Sequence, residues 1–279
     1  MPWNKGNANK TMDNRPIGIF DSGLGGLTAV KEIHKLLPNE SLIYFGDTAR
    51  IPYGTRSEET VCKFALQDLH FLLAQNVKYI VVACGTVSSI AMHALLKDST
   101  VPVIGIVESV SRAACHATKN KRVAIMGTSA TIRSRTIENA IKNDGIEVIG
   151  QSCPLFVPLI ENGYIDSNNK LLQYAVDEYL EKIKVFGADT IVLGCTHYPL
   201  IKDAISLKAP NITLINSGLE IANTLEQSLK EQDLLNNSNN LGYLSFYVSD
   251  AVTGFSKMAS LFLGESVKDN ILKVDIEAY

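Results

Sequence analysis

The chain has 279 residues, a length that predicts two domains or one large one. Apolar residues make up 46% and charged residues 20%, and the net charge of −3 gives no electrostatic case for binding nucleic acid or a membrane surface. No apolar run approaches the ~20 residues that span a bilayer, and residues 1–15 are a polar extension without a signal-peptide core, so a cytoplasmic location is expected.

Short apolar, β-branched runs alternate with amphipathic stretches. PIGIFD (16–21) predicts a strand and 26–37 a helix. SLIYFGD (41–47) predicts the next strand, and 56–75 the next helix. In that helix Thr55 to Glu58 reads as a capping box, with Val61, Phe64, Ala65 and Leu69 as the buried stripe. KYIVVAC (78–84), a helix over 87–97 and VPVIGIV (101–107) complete a first series. RVAIMG (122–127), a helix over 129–143, IEVIG (146–150), a helix over 168–186, DTIVLGC (189–195) and ITLIN (212–216) form a second. A helix over 219–231, an asparagine-rich loop over 231–242 and a strand-like run, LSFYVSD (244–250), follow. Near-continuous apolar strands alternating with helices predict an α/β fold with parallel sheets covered on both faces.

The two series repeat each other weakly. YIVVACGT (79–86) aligns with TIVLGCTH (190–197) at an offset of 111, which also places 101–108 on 212–219. IGIFDSG (17–23) aligns with VAIMGTS (123–129), and SLIYFG (41–46) with EVIGQS (147–152), at an offset of 106. The expected architecture is two pseudo-symmetric, doubly wound α/β domains with the active site in the cleft between them. One domain comprises 16–111 with 225–279 and the other 112–224, since the late strand-like run is expected to return to the first domain.

Ligands of open α/β sheets bind at the carboxyl ends of strands. Four such ends carry small polar groups: Asp21-Ser22-Gly23, Cys84-Gly85-Thr86, Gly127-Thr128-Ser129 and Cys195-Thr196-His197. Backbone N–H groups and hydroxyls there suit a carboxylate ligand, although Ser and Thr are also ordinary helix caps. Of the five cysteines, Cys84 and Cys195 fall at equivalent positions of the repeat. A cysteine just before a helix is expected to have a depressed thiol pKa. Two such thiols facing each other would place one group on each face of a substrate carbon, as racemisation needs. Nucleophilic catalysis is the competing use, but it needs only one cysteine. Asp21 and His197 are charged partners available to a thiol or to a substrate ammonium. Cys62, Cys115 and Cys153 read as inert. There is no C-x-x-C, no H-x-x-x-H and no phosphate loop, and DSGLGGLT (21–28) is glycine-rich without being a dinucleotide fingerprint, so no nucleotide, flavin or metal is expected.

FDSGLGGLTAV (20–30), YFGDTARIPYG (44–54), VVACGTVSS (81–89), CPLFVPLIENG (153–163) and GCTHYPL (194–200), in that order along nearly the whole chain, resemble the glutamate racemases. The resemblance implies cofactor-independent interconversion of L- and D-glutamate, supplying D-glutamate for peptidoglycan, with an aspartate or other acidic amino-acid racemase as the alternative. It implies that Cys84 and Cys195 are the catalytic thiols, assisted by Asp21, Glu161 and His197. It places Asp21, Ser22, Tyr53, Gly54, Gly85, Thr86, Thr196 and His197 at the substrate. A homodimer is expected, with glutamate as the small-molecule partner. Two positions depart from the family pattern: Gly85 stands where the family usually has Asn, and Asn216 where it often has Asp.

Overall fold

The computed structural model describes residues 13–142, 145–250, 255–264 and 271–279. The strands are β1 (Ile17–Asp21), β2 (Leu42–Gly46), β3 (Tyr79–Val82), β4 (Val103–Gly105), β5 (Arg122–Gly127), β6 (Glu147–Ser152), β7 (Thr190–Leu193), β8 (Thr213–Asn216), β9 (Leu244–Val248) and β10 (Ile271–Lys273). Every pairing among them is parallel. One sheet runs β10-β9-β2-β1-β3-β4 and the other β6-β5-β7-β8. The first four strands and the second four therefore share one order, with β9 and β10 added outside β2. The register agrees with the internal repeat: Ile17 pairs with Leu42 and Tyr79, and its counterpart Val123 pairs with Val148 and Thr190.

The central strands β1, β2, β3, β5 and β7 are buried on both faces. On β1, Ile17 and Ile19 join a large core that also contains Ala124, Ile191 and Leu193 of the second sheet, while Phe20 belongs to a separate core with Phe45, Ile80 and Val82. Val123, Ile125 and Val192 form a third. Alternate side chains thus enter different apolar layers, which is why these strands read as continuous apolar runs rather than alternating ones.

The helices are α1 (Leu27–Leu36), α2 (Glu58–Ala74), α3 (Gly85–Ile90), α4 (Met92–Asp98), α5 (Ile106–Ala117), α6 (Ser129–Ser134), α7 (Thr136–Lys142), α8 (Phe156–Glu161), α9 (Lys170–Phe186), α10 (Lys202–Lys208), α11 (Ser217–Glu231) and α12 (Phe255–Leu263). Several differ from the sequence expectation. The helix expected over 87–97 is divided at Ala91, and the one over 129–143 at Arg135, whose φ of 55° is left-handed. The cap of α2 is Ser57, whose side chain accepts from Thr60 N, so the Thr55–Glu58 capping box is not formed. Val61, Ala65 and Leu69 are buried as expected, and Phe64 is only partly so. Helices α5, α8, α10 and α12 and strand β10 were not anticipated. α5 begins directly after β4, inside the apolar run 101–107, where periodicity cannot mark the change. α11 packs against α1 and α5, and the expected domain boundary at 224/225 falls within it. Asn216 caps α11 by accepting from the N–H groups of Gly218 and Leu219.

Candidate active site

The C-terminal ends of strands from both sheets converge on one cavity of about 340 Å³, within the size range of small-molecule sites. Asp21, Cys84, Thr128, Cys153 and Cys195 each stand at or just beyond a strand end and line it. So do the other residues that the family resemblance assigns to the site: Ser22, Tyr53, Gly54, Gly85, Thr86, Glu161, Thr196 and His197.

Cys84 is nearly inaccessible at 4% exposure, and its Sγ lies 3.4 Å from Ser22 Oγ. Burial and the neighbouring Asp21 push the thiol up to about 12, although hydrogen bonds from Ser22 and from backbone N–H groups oppose the shift. The expected lowering by a helix terminus is therefore overturned at Cys84. It caps only a six-residue helix, and burial beside a carboxylate outweighs that dipole. Asp21 is itself buried, which raises its carboxyl, while His197 and the backbone N–H groups of Gly26 and Gly23 pull it back.

Cys195 is built differently. It follows β7 but is followed by a 3-10 turn over Tyr198–Ile201 rather than by an α-helix, so the two strand–cysteine junctions are not equivalent beyond the strand. Its polar partner is His197, whose Nδ1 lies 3.7 Å from the sulfur. The other ring nitrogen, Nε2, lies 3.0 Å from Glu161 Oε1. Burial works against the imidazolium, but the hydrogen bonds and charges of Cys195 and Glu161 prevail and lift His197 to about 10. Phe262 packs edge-on against the same ring, 5.3 Å between centroids. Thr196 Oγ1 approaches Asp21 Oδ1 at 3.5 Å, so groups of the two sheets meet in the cavity lining.

Tyr53 is almost fully buried, and its hydroxyl bonds to Asp47 and to Asp68, leaving the rest of the residue as cavity wall. Thr86 and Thr128 hydroxyls meet across the site at 3.1 Å. Thr128 and Ser129 belong to a strand-end junction that the sequence marks as suited to a carboxylate, although the family resemblance does not place them at the substrate; both line the cavity. Cys153, read as inert, also lines the cavity; burial and Cys195 raise its thiol pKa, and its sulfur faces Gln151 O at 3.5 Å. Cys62 and Cys115 lie on α2 and α5, away from the cavity lining. Among the described residues no group of three or more His, Cys, Asp and Glu side chains is arranged to hold a metal ion, and no helix is long and apolar enough to cross a membrane.

One cavity thus holds a thiol from each of the two repeated sheets, with Asp21 beside Cys84 and His197 beside Cys195. Residues 19–225 match the family described as Asp/Glu/Hydantoin racemase. The chain belongs to that family, and it is an isomerase that racemises an amino acid. It is 42% identical to a glutamate racemase of Geobacter metallireducens over 100% of this chain and 99% of the relative. It is 39% identical to one of Neisseria meningitidis over 91% and 94%. A crystal structure of glutamate racemase from Francisella tularensis in complex with D-glutamate superimposes with a TM-score of 0.89 at 38% identity, covering 96% of this chain and 100% of that one.

Proposed function

We propose that the protein interconverts L- and D-glutamate without a cofactor, with Cys84 and Cys195 as the two acid–base groups, and so supplies D-glutamate for peptidoglycan. The observation that carries this reading is the placement of both thiols at repeated strand ends lining one cavity. The names of the relatives support glutamate as the substrate. In this reading one thiolate removes the Cα proton from its face and the opposite thiol delivers a proton to the other. The reverse direction exchanges their roles. Asp21 and Ser22 serve Cys84, and His197 backed by Glu161 serves Cys195. Ser22, Gly54, Gly85, Thr86 and Thr196 contact the substrate, and Tyr53 forms wall rather than donating its engaged hydroxyl. The protein would act in the cytoplasm as a homodimer.

Incubation with L-glutamate and no added cofactor should abolish the circular-dichroism signal of the substrate as it approaches a racemic mixture. Glutamate should be turned over faster than aspartate at matched concentration. Equal or faster aspartate turnover would assign the enzyme to the alternative acidic substrate, and a persistent signal with both would refute the racemase assignment for them.

The His197 pair has a pH signature. Its folded pKa, about 10, lies above the ordinary 6.5, so the imidazolium's contribution to stability is complete below about pH 6.5. That contribution declines as pH rises and is gone above about pH 10. Urea unfolding of the wild type across this window should therefore lose stability that His197→Asn never had. Parallel pH profiles for the two proteins would remove the charged pair from the account.

A further inference from the structure

We infer that the glycine-rich turn after β1 is a seat for the Cys195 loop, in which Gly25 and Thr28 are positioning residues for Cys195 and His197. The inference rests on the two-thiol reading. Neither Gly25 nor Thr28 lines the cavity, and nothing in the chemistry above uses them. Yet a Cβ at Gly25 would stand 2.2 Å from Thr196 Oγ1 and 2.5 Å from His197 Nδ1, inside any permitted contact. The second sheet's loop therefore rests on the bare backbone of the first sheet's turn. One of the atoms that a side chain would strike, His197 Nδ1, is the one that faces the sulfur of Cys195.

Thr28 fastens the same contact. Its hydroxyl lies 2.8 Å from Thr196 O and 2.9 Å from Gly25 O, at 5% exposure. One proton shared between these carbonyls ties the loop's backbone to the turn. A parallel close approach occurs at the other thiol's junction, where a Cβ at Gly85 would lie 2.3 Å from Gly194 O. The segment Gly194–His197 thus meets the first half at two side-chain-free points, which fixes where Cys195 stands relative to Cys84. Cys84 has its own partner in Ser22 and does not depend on the Gly25 contact. A fault in the seat should accordingly fall on the Cys195 face of the substrate.

The test combines steady-state kinetics with exchange of the Cα proton in deuterated water, on the full chain with L- and D-glutamate. Displacing a reacting group by about an ångström costs about 10²-fold, so Gly25→Ala should lower kcat by that order with a much smaller change in KM. Thr28→Val keeps the shape but removes one hydrogen bond and should lower kcat about 3- to 10-fold, with Thr28→Ser restoring it. In both damaged variants, the enantiomer whose Cα–H faces Cys84 should exchange deuterium faster than it inverts, and exchange of the other should fall in step with kcat. Equal loss of exchange from both enantiomers would overturn the proposal, because it would mean a general structural fault. Wild-type kcat in Gly25→Ala, or failure of Thr28→Ser to restore what Thr28→Val loses, would overturn it as well. If Gly25→Ala does not fold, the Thr28 pair and its exchange pattern decide the matter alone. Activity that survives Cys84→Ala and Cys195→Ala would instead refute the two-thiol reading, independently of the seat.

Discussion

Cys84→Ala and Cys195→Ala should each lower interconversion of the enantiomers by about 10²- to 10⁴-fold, the usual contribution of a general acid–base group. The two losses should have opposite handedness. With Cys195 gone, the remaining thiol can still remove a proton from the enantiomer facing it and return one to the same face. That enantiomer should therefore gain deuterium at Cα in deuterated water while keeping its configuration. Cys84→Ala should do the same for the other enantiomer. In the wild type the incoming proton arrives from the opposite thiol, which has equilibrated with solvent. New product should thus carry deuterium from the first turnovers, while unreacted substrate stays largely protiated. Near-normal racemisation in either variant, or substantial retention of the original proton in early wild-type product, would sink the two-thiol model. Both thiols are buried, so removing a sulfur also leaves a small void; circular dichroism of the backbone should confirm that the variants remain folded.

The repeat, the parallel strands and the strand-end cysteines were legible because strands buried on both faces write themselves as apolar runs ending in small polar residues. The register of Ile17 and Val123 with their neighbours reproduces the offset of 106 read from the sequence alone. What failed was set by tertiary contacts. The break at Arg135 needs a left-handed backbone at a residue that gives no warning of one, and it divided a helix that looked continuous. Thr55 and Ser57 both offer a hydroxyl ahead of acidic residues, and only the folded chain selects Ser57. Phe262 reaches His197 from a helix more than sixty residues further on, with no local pattern to announce it. The acidity of Cys84 could not be read because two effects of opposite sign compete there. A helix terminus lowers a thiol pKa, burial beside Asp21 raises it, and the degree of burial is known only from the fold.

The second large effect is expected away from the thiols, in the buried charges behind Tyr53. Asp47 and Asp68 are fully buried, and Arg50 spans them, with Nε 2.6 Å from Asp47 Oδ2 and Nη2 3.2 Å from Asp68 Oδ1. Ser249 donates to Asp47 at 2.7 Å, and Nη1 of Arg50 reaches Gln67 at 2.5 Å and Glu277 at 3.2 Å. The cluster thereby ties the C-terminal segment to the wall of the cavity. Burial and Asp47 push the Asp68 carboxyl well above the usual carboxylate range, so the guanidinium chiefly compensates the charge shared by the pair. Arg50 also lies 4.1 Å over the ring of Phe64. Arg50→Met keeps much of the side-chain volume but leaves buried acid without its cation, which typically costs about 3–5 kcal/mol. Urea unfolding should show a loss of that size, and Asp47→Asn combined with Arg50→Met should recover part of it by removing the stranded charge. Because Tyr53 hangs from both carboxyls, the single variant should also weaken glutamate binding, seen as a higher KM, before it reduces kcat. A stability change below about 1 kcal/mol, the value of an exposed ion pair, would show that Arg50 is not the cation that compensates this cluster.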